Sequence, residues 1–383
     1  MKKIVTAVFA LIIGCSLLIS PTNTVFADDL SDSIEKNLQD VDLDNLNDFY
    51  NRIGGDGNFT DSIRKLINGE FEFDCNGVAD YLNQLILTKA KAYLPTIMNV
   101  VLIAVVYTVY SLIKGKYLSS EIDKVVNIVC YFAVLFIVLS VSARLFLNTK
   151  NTIELLRELC EIMSPIILTL MVASGGGTSA ALYKPALVFL SGGITEIVSA
   201  ILLPIVGIMI ILSCFSEVSG NIRVNKFNQL FSSILKWSIG IIISLYGAFL
   251  TVKGISAATY DGISVKAAKY AVSNSVPLIG GFIKDSLDFV VAGSVIIKNA
   301  VGISVIICIF FTVLSPIIEI LCFSLLLKFS AAITESLGNS GLTNFISNVS
   351  KSVSYLSTCV ITVAFSFFLT VLLLIFSANA FIV

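Results

Sequence analysis

Two glutamates lie inside long apolar runs, where an ionisable side chain is unfavourable. Glu196 falls in the run 186–215 and Glu319 in the run 299–329. A charge buried in lipid costs roughly 3 kcal/mol unless it faces a cavity or a partner. Both are therefore candidates to line a hydrated path or to carry a coupling proton. The alternative is that each is paired with a lysine, a backbone group or the interface beside a broken helix.

A second group of candidates lies in the segment 253–298, which is too polar to span a bilayer and too apolar for an ordinary loop. Its candidates for lining a pathway or docking a partner are Lys266, Lys269, Pro277, Lys298 and Asn299. The first two lysines are one turn apart among small apolar residues, which is typical of an interfacial helix. The segment is predicted to be interfacial or re-entrant and amphipathic, and a solvated helical hairpin remains the alternative.

The composition excludes most catalytic chemistry. Histidine is absent, which removes histidine-activated nucleophiles and histidine metal ligands. The triple glycine 175–177 and Lys184 do not have the spacing of a phosphate loop. The acidic run 40–44 lacks the glycine and the final glutamate of a calcium loop. We expect no enzymatic activity, no catalytic residue, no cofactor, no metal and no nucleic-acid partner.

The amino terminus has the features of a secretory signal. Lys2 and Lys3 precede an apolar run, and small residues end at Ala27. Residues 1–27 are therefore predicted to be a signal peptide cleaved after Ala27, with an uncleaved anchor or a lipoprotein site at Cys15 as alternatives. The segment that follows would be extracytoplasmic.

The segment 28–93 is predicted to be exported, acidic and helical. Between residues 28 and 90 there are 14 acidic and 5 basic side chains. Apolar residues recur there with the period of an amphipathic helix. They are Ile34, Leu38, Val41, Leu46, Phe49 and Ile53.

The remaining residues, 94–383, are predicted to form a polytopic membrane domain. The chain is 56% hydrophobic and 13% charged, whereas soluble domains carry about 25% charged residues. Its apolar runs are 94–113, 125–147, a short one at 162–173, 186–215, 230–252, 299–329 and 353–376. We predict an all-α fold of about seven transmembrane helices, in a range of six to eight.

The topology depends on whether the short apolar run 162–173 crosses the membrane. If it crosses, most loop lysines and arginines are cytoplasmic, as the positive-inside tendency favours, and the carboxyl terminus is cytoplasmic as well. If it is re-entrant, the lysines between 253 and 298 lie outside. The two runs of about 30 residues exceed the bilayer core and must tilt, break or turn back, with Pro316 and Gly192-Gly193 as the expected break points.

Several motifs resemble those of the stage III sporulation protein AE family of endospore-forming bacteria. They are YDGI at 260–263, KAAK at 266–269, NSVP at 274–277, GG at 280–281 and VIIKNAVG at 295–302. The order of signal, exported segment and polytopic body is also similar. The resemblance is most specific from 253 to 302 and weak before residue 94.

The resemblance implies a non-enzymatic subunit of the channel, or feeding-tube, complex between mother cell and forespore. It implies the mother-cell membrane around the forespore as the location and a requirement for late forespore gene expression. The implied partners are other stage III sporulation AA-to-AH proteins, membrane lipid and, indirectly, stage II sporulation protein Q. Homo-oligomerisation is left open. The rival function is a secondary transporter of a small solute that uses Glu196 and Glu319.

Overall fold

The computed structural model describes residues 43–53, 58–68, 75–113, 120–215, 224–275 and 280–377. Nearly all of these residues are helical, and none of them is in a β-strand. The predicted all-α class is therefore confirmed. The predicted signal peptide, residues 28–42 of the exported segment and Pro277 lie outside the described residues.

Two short helices precede the membrane body. In α1 (Asp44–Arg52) Leu46 and Phe49 are buried, and in α2 (Phe59–Ile67) Phe59 and Ile63 are buried. Both pairs belong to the apolar faces of amphipathic helices. The side chain of Asn58 caps α2 by accepting from the backbone N–H of Thr60. Helix α1 packs on α4 and helix α2 packs on α7, so the described residues before α3 lie against the body.

Six described helices are long and apolar enough to cross a membrane, and they confirm a polytopic helical membrane protein. They are α3 (Cys75–Ile113), α4 (Ser120–Ala173), α5 (Gly177–Cys214), α6 (Val224–Ser275), α7 (Gly280–Ser336) and α8 (Ser340–Phe376). This number is at the lower end of the predicted range. Helix α3 starts at Cys75 and runs without a break through the predicted boundary at residue 93.

The predicted runs 125–147 and 162–173 belong to one helix, α4. Between them the helix stays amphipathic, with Ile153 and Leu156 buried while Lys150 and Glu154 are exposed on the other side. At 1.5 Å per residue α4 is about 80 Å long, far more than a bilayer core of about 30 Å. The polar residues between the two runs therefore do not end the helix.

The expected break points do not interrupt their helices either. Helix α7 continues through Pro316. Around Gly192 and Gly193, α5 instead widens into two π-helical stretches, Phe189–Ile194 and Val198–Leu202. A Cβ at Gly193 would lie 2.7 Å from the ring of Phe189, so this helix face accommodates the phenylalanine only because the residue is glycine. A π-helical turn contains about one residue more than an α-helical turn, so the residues that follow each stretch point to a different side of the helix than they would in a regular α-helix.

Two antiparallel hairpins organise the body, and each turns at a glycine with left-handed backbone. Gly175 (φ 84°) joins α4 to α5, and Gly338 (φ 80°) joins α7 to α8. A residue with a Cβ is strained in this conformation, whereas glycine is not. After the second turn the Asn339 side chain accepts from the N–H of Leu342 and so caps α8.

Helices α7 and α8 form the centre, and the start of α3 lies at the same end of the body as the end of α8. The rings of Tyr81 in α3 and Phe311 in α7 are 6.0 Å apart, and Lys298 in α7 reaches Ser377 just after α8. Helices α3, α4 and α6 are outer helices with large exposed apolar side chains, including Phe136 and Trp237.

We predict that Gly302→Ala destabilises the body. The added Cβ would lie 2.5 Å from Cγ1 of Ile375, so the Ile375 side chain or the two helices must shift, and overpacking of this kind costs about 1–3 kcal/mol. The matched control is Gly240→Ala in α6, where nothing lies within 4 Å and the same gain in helix propensity is made. Thermal unfolding in detergent should show a lower midpoint for Gly302→Ala than for the control, and equal midpoints would contradict the close packing.

Candidate functional site

Glu319 is the centre of a polar cluster between three helices. Its side chain is almost buried in α7, and both carboxylate oxygens are engaged by α3. Lys89 Nζ donates to Oε2 at 3.1 Å, and the Tyr93 hydroxyl donates to Oε1. Arg144 Nη2, from α4, donates to the Tyr93 hydroxyl at 2.8 Å. We call Lys89, Tyr93, Arg144 and Glu319 the Glu319 cluster.

Aromatic packing holds the cluster in place. The ring of Tyr93 lies 5.2 Å from the ring of Phe323, which is one turn after Glu319 in α7. The guanidinium carbon of Arg144 lies 5.3 Å from the centroid of the same tyrosine ring. Lys89 and Tyr93 are four residues apart and therefore on the same face of α3. One tyrosine thus joins a carboxylate, a guanidinium and an apolar wall.

The cluster contains two cations and one carboxylate. Glu319 is paired with Lys89, whereas Arg144 has only the hydroxyl and the ring of Tyr93 in the contacts described. Removing one partner of a buried ion pair costs about 3–5 kcal/mol, because the other charge is left without compensation. The arrangement is therefore suited to fixing α3, α4 and α7 against one another, and the described residues include no group of side chains that could hold a metal.

Glu196 is in a different environment. Its side chain is 63% exposed, and its carboxylate lies 3.8 Å from Nη1 of Arg157. Arg157 also donates to Glu161, one turn further along α4, at 3.0 Å. Glu196 therefore joins α5 to α4, while Glu319 joins α7 to α3. The structure does not bring the two glutamates into one hydrogen-bonded group.

Charge pairing on α4 extends to α1. Arg52, the last residue of α1, donates to the carboxylate of Glu158. This hydrogen bond raises the pKa of Arg52, so the guanidinium stays charged in any physiological buffer. The pair is exposed to solvent, and the apolar face of α1 supplies the main contact with the body.

Lys298 and Asn299 lie at the end of α8. The side chain of Lys298 is fully buried, and its Nζ donates to the carbonyl oxygens of Ile375, at 3.1 Å, and Ser377. A cation here satisfies the last carbonyls of α8 and is favoured by the helix dipole. Oδ1 of the neighbouring Asn299 is buried without a hydrogen-bond partner among the described residues.

The other candidates of the basic segment are described only in part. Lys266 and Lys269 lie on the backbone of α6, in its last three turns. Their side chains, like Pro277, lie outside the part of the chain that the structure describes. Their suggested role in a pathway or in docking stays a prediction.

Sequence reasoning missed three of the four cluster residues. Arg144 is the only charged residue in the run 125–147, and this isolated basic residue was as strong a signal as the two glutamates. Lys89 and Tyr93 stand just before the run 94–113 with helical spacing. What the sequence did not show is that α3 and α7 run in parallel, and this brings Lys89 to Glu319.

A ladder of six hydroxyls on α8 was also missed. The hydroxyls recur at every fourth residue, at Ser350, Ser354, Thr358, Thr362, Ser366 and Thr370. Ser350 exchanges hydrogen bonds with Ser324 of α7, with its hydroxyl donating to the carbonyl oxygen at 2.8 Å. Thr370 is bonded at 2.7 Å to the hydroxyl of Tyr246 in α6. Short hydroxyl side chains that bond to backbone and neighbours allow membrane helices to pack closely.

The comparisons with known proteins agree on one family. A family model described as "Stage III sporulation protein AE (spore_III_AE)" matches residues 57–378. A similar protein is "Stage III sporulation protein AE" of Bacillus subtilis (strain 168), which is 26% identical over 359 residues, or 90% of this chain and 88% of that protein. No solved structure matches.

We predict that the Glu319 cluster contributes to stability as a unit. Glu319→Gln and Lys89→Met should each destabilise by about 3–5 kcal/mol, since each leaves a charge unpaired, while the double variant should lose much less than the sum. A double-mutant cycle from thermal unfolding in detergent measures this coupling. Lys91→Met, on the exposed side of the same turn of α3, is the matched control. Additive losses would show that the ion pair does not hold the helices together.

Proposed function

Because this chain belongs to the stage III sporulation protein AE family, we propose that it is a non-enzymatic membrane subunit of the channel complex between mother cell and forespore. In this role it is required for endospore formation and for late forespore gene expression. The observation that carries the proposal is the family match, which spans 57–378 and so includes all six long apolar helices.

The arrangement of charges supports a structural role in the membrane. The interior carboxylate of Glu319 accepts hydrogen bonds from Lys89 and Tyr93. The buried ammonium of Lys298 donates to backbone carbonyl oxygens at the end of α8. Groups that are paired in this way hold helices together. Large apolar side chains on the outer faces of α3, α4 and α6 offer surface to lipid or to the membrane helices of partners.

The proposed location is the mother-cell membrane around the forespore, with the amino-terminal segment extracytoplasmic. Since α3 begins at the end of the body where α8 finishes, α1, α2 and residue 377 would then face the same space. With 125–147 and 162–173 in one helix, the short run is not a separate crossing, so the carboxyl terminus would be extracytoplasmic and not cytoplasmic as the seven-span count predicts. The proposed partners are other stage III sporulation AA-to-AH proteins and, indirectly, stage II sporulation protein Q. They would bind in the space between the two membranes or through the outer helices.

The test is to purify the tagged protein from sporulating cells in mild detergent and to identify what comes with it. We expect sister stage III sporulation proteins to co-purify with the wild-type chain. They should also co-purify with Lys328→Gln, a control that changes an exposed lysine of α7. A chain that is purified alone, from cells in which the sister proteins are present, would contradict the proposal.

The second candidate function is secondary transport of a small solute. It is favoured by one observation, the nearly buried carboxylate of Glu319 between three helices. Protein reconstituted alone into vesicles distinguishes the two functions. Solute uptake by the wild-type protein alone would establish transport. Its loss in Glu319→Gln but not in Glu335→Gln, an exposed glutamate of the same helix, would assign it to Glu319 only if the Glu319→Gln protein is shown to be folded in the same vesicles. The channel-subunit proposal expects no uptake by the protein alone.

A further inference from the structure

Arg144 is a cation on an apolar surface of α4. It is the only charged residue in the run 125–147, and its side chain is exposed. Exposed apolar side chains lie before and after it along the helix, at Phe136 and Leu147. A guanidinium beside such a surface is stable only where it reaches water or lipid headgroups. Its level relative to a bilayer therefore decides what it binds.

Most donors of this guanidinium have no acceptor among the described residues. A guanidinium carries five N–H donors in a rigid plane. In the contacts described, Nη2 donates to the Tyr93 hydroxyl at 2.8 Å, and the tyrosine ring makes a cation–π contact. These two contacts hold the guanidinium in one place before any ligand arrives, which lowers the entropic cost of binding. The remaining donors are available to an acceptor from outside the chain.

The Glu319 cluster also has an excess of positive charge. Lys89 and Arg144 share the single carboxylate of Glu319, and this carboxylate is already paired with the lysine. The next acidic side chain along α4 is ten residues from Arg144, or about 15 Å. The nearest other acidic residues described on α3, α4 and α7 are Asp80, Glu154 and Glu335. No second carboxylate of these helices is therefore near enough to neutralise the arginine.

The cluster lies at one end of the apolar runs of α3 and α4. Tyr93 immediately precedes the run 94–113, and Arg144 is three residues before the end of the run 125–147. Polar residues then follow on α4, beginning at Asn148. Tyrosine and arginine at the end of a span are typical of the level of the lipid headgroups.

An apolar run on the other side of the cluster ends at the same level. Phe323 packs on Tyr93, and the next residue, Ser324, is bonded to Ser350 of α8, three residues before the run 353–376. Helix α3 is parallel to α7 and α8 is antiparallel to it, so the runs of α3 and α8 extend from this level in opposite directions. The surface of a bilayer around either run therefore falls at the cluster, where lipid phosphates lie.

We propose that Arg144 binds the phosphodiester of an anionic phospholipid that carries one phosphate, such as phosphatidylglycerol. The guanidinium donates two parallel hydrogen bonds to the non-bridging oxygens. One phosphate neutralises the positive charge that two cations and one carboxylate leave. The phosphate of a zwitterionic lipid is already neutralised by its own cationic group and binds less tightly. The acyl chains cover the apolar surface beside the arginine, so the site prefers a lipid to free phosphate.

Lipid binding by the purified full chain in detergent tests the proposal. Native mass spectrometry with phosphatidylglycerol or phosphatidylcholine measures how many molecules of each lipid stay bound. The wild-type chain should bind one phosphatidylglycerol about tenfold more tightly than phosphatidylcholine, and Arg144→Gln should lose this preference. Lys91→Gln removes the same charge from the exposed side of α3, two residues before Tyr93, and as the matched control it should keep the preference.

Three results of this experiment would overturn the proposal. A wild-type chain that binds the two lipids equally has no site for an anionic headgroup. An equal loss of preference in Arg144→Gln and Lys91→Gln would show only a general attraction between the basic surface and anionic lipid. Displacement of phosphatidylglycerol by an excess of inorganic phosphate would assign the guanidinium to a soluble anion.

A second measurement uses the wild-type chain, so it does not depend on the stability of a variant. Phosphatidylglycerol with a photoactivatable group in its headgroup is added to the purified protein, and the labelled residues are identified by mass spectrometry. We expect the labels to be concentrated within 140–151 of α4 and 89–98 of α3. Labels that are spread evenly over the exposed faces of α5 and α6 as well would contradict a defined site at Arg144.

Discussion

A carboxylate inside an apolar bundle is the constraint on which much of this structure depends. Glu319 cannot remain in the middle of α7 without donors, and the donors come from α3, which must therefore run beside α7 at a fixed height. Tyr93 then brings in Arg144 and with it α4. Three helices that are far apart in the chain are thus set in register by a requirement of one side chain. The apolar contacts around them have no comparable directional preference.

Helix length is the second constraint. Helices such as α4 and α7 are about 80 Å long, so a large part of each lies beyond any bilayer core. The stretch of α4 between its two apolar runs carries the polar pair of Arg157 with Glu161, and Arg157 also lies near Glu196, which is inside the apolar run of α5. Polar pairs on the exposed sides of α4 and α5 thus interrupt their apolar surface without ending either helix.

Much of this fold could be predicted from the sequence, because hydrophobic runs of about 20 residues have few alternatives to membrane helices. The joining of 125–147 to 162–173 was not predicted, since a count of apolar runs ignores amphipathic segments in which Ile153 and Leu156 keep the helical period. Glu319 could be selected as a buried acid, but its partner depended on the relative direction of α3 and α7. Lys298 looked like part of a basic surface, and only the end of α8 shows it to be a cap.

The hydroxyl ladder of α8 has a consequence for how that helix can move. Four residues turn a helix by about 400°, so each hydroxyl is rotated by about 40° from the one before, and the ladder winds through about 200° from Ser350 to Thr370. This is why one end meets α7 and the other meets α6. Such a ladder has the symmetry of a screw. The four hydroxyls between the two ends bond to carbonyl oxygens of α8 itself, so the ladder bonds that join α8 to its neighbours are those of Ser350 and Thr370. A slide or a rotation of α8 would therefore break the bond to α7 and the bond to α6 together.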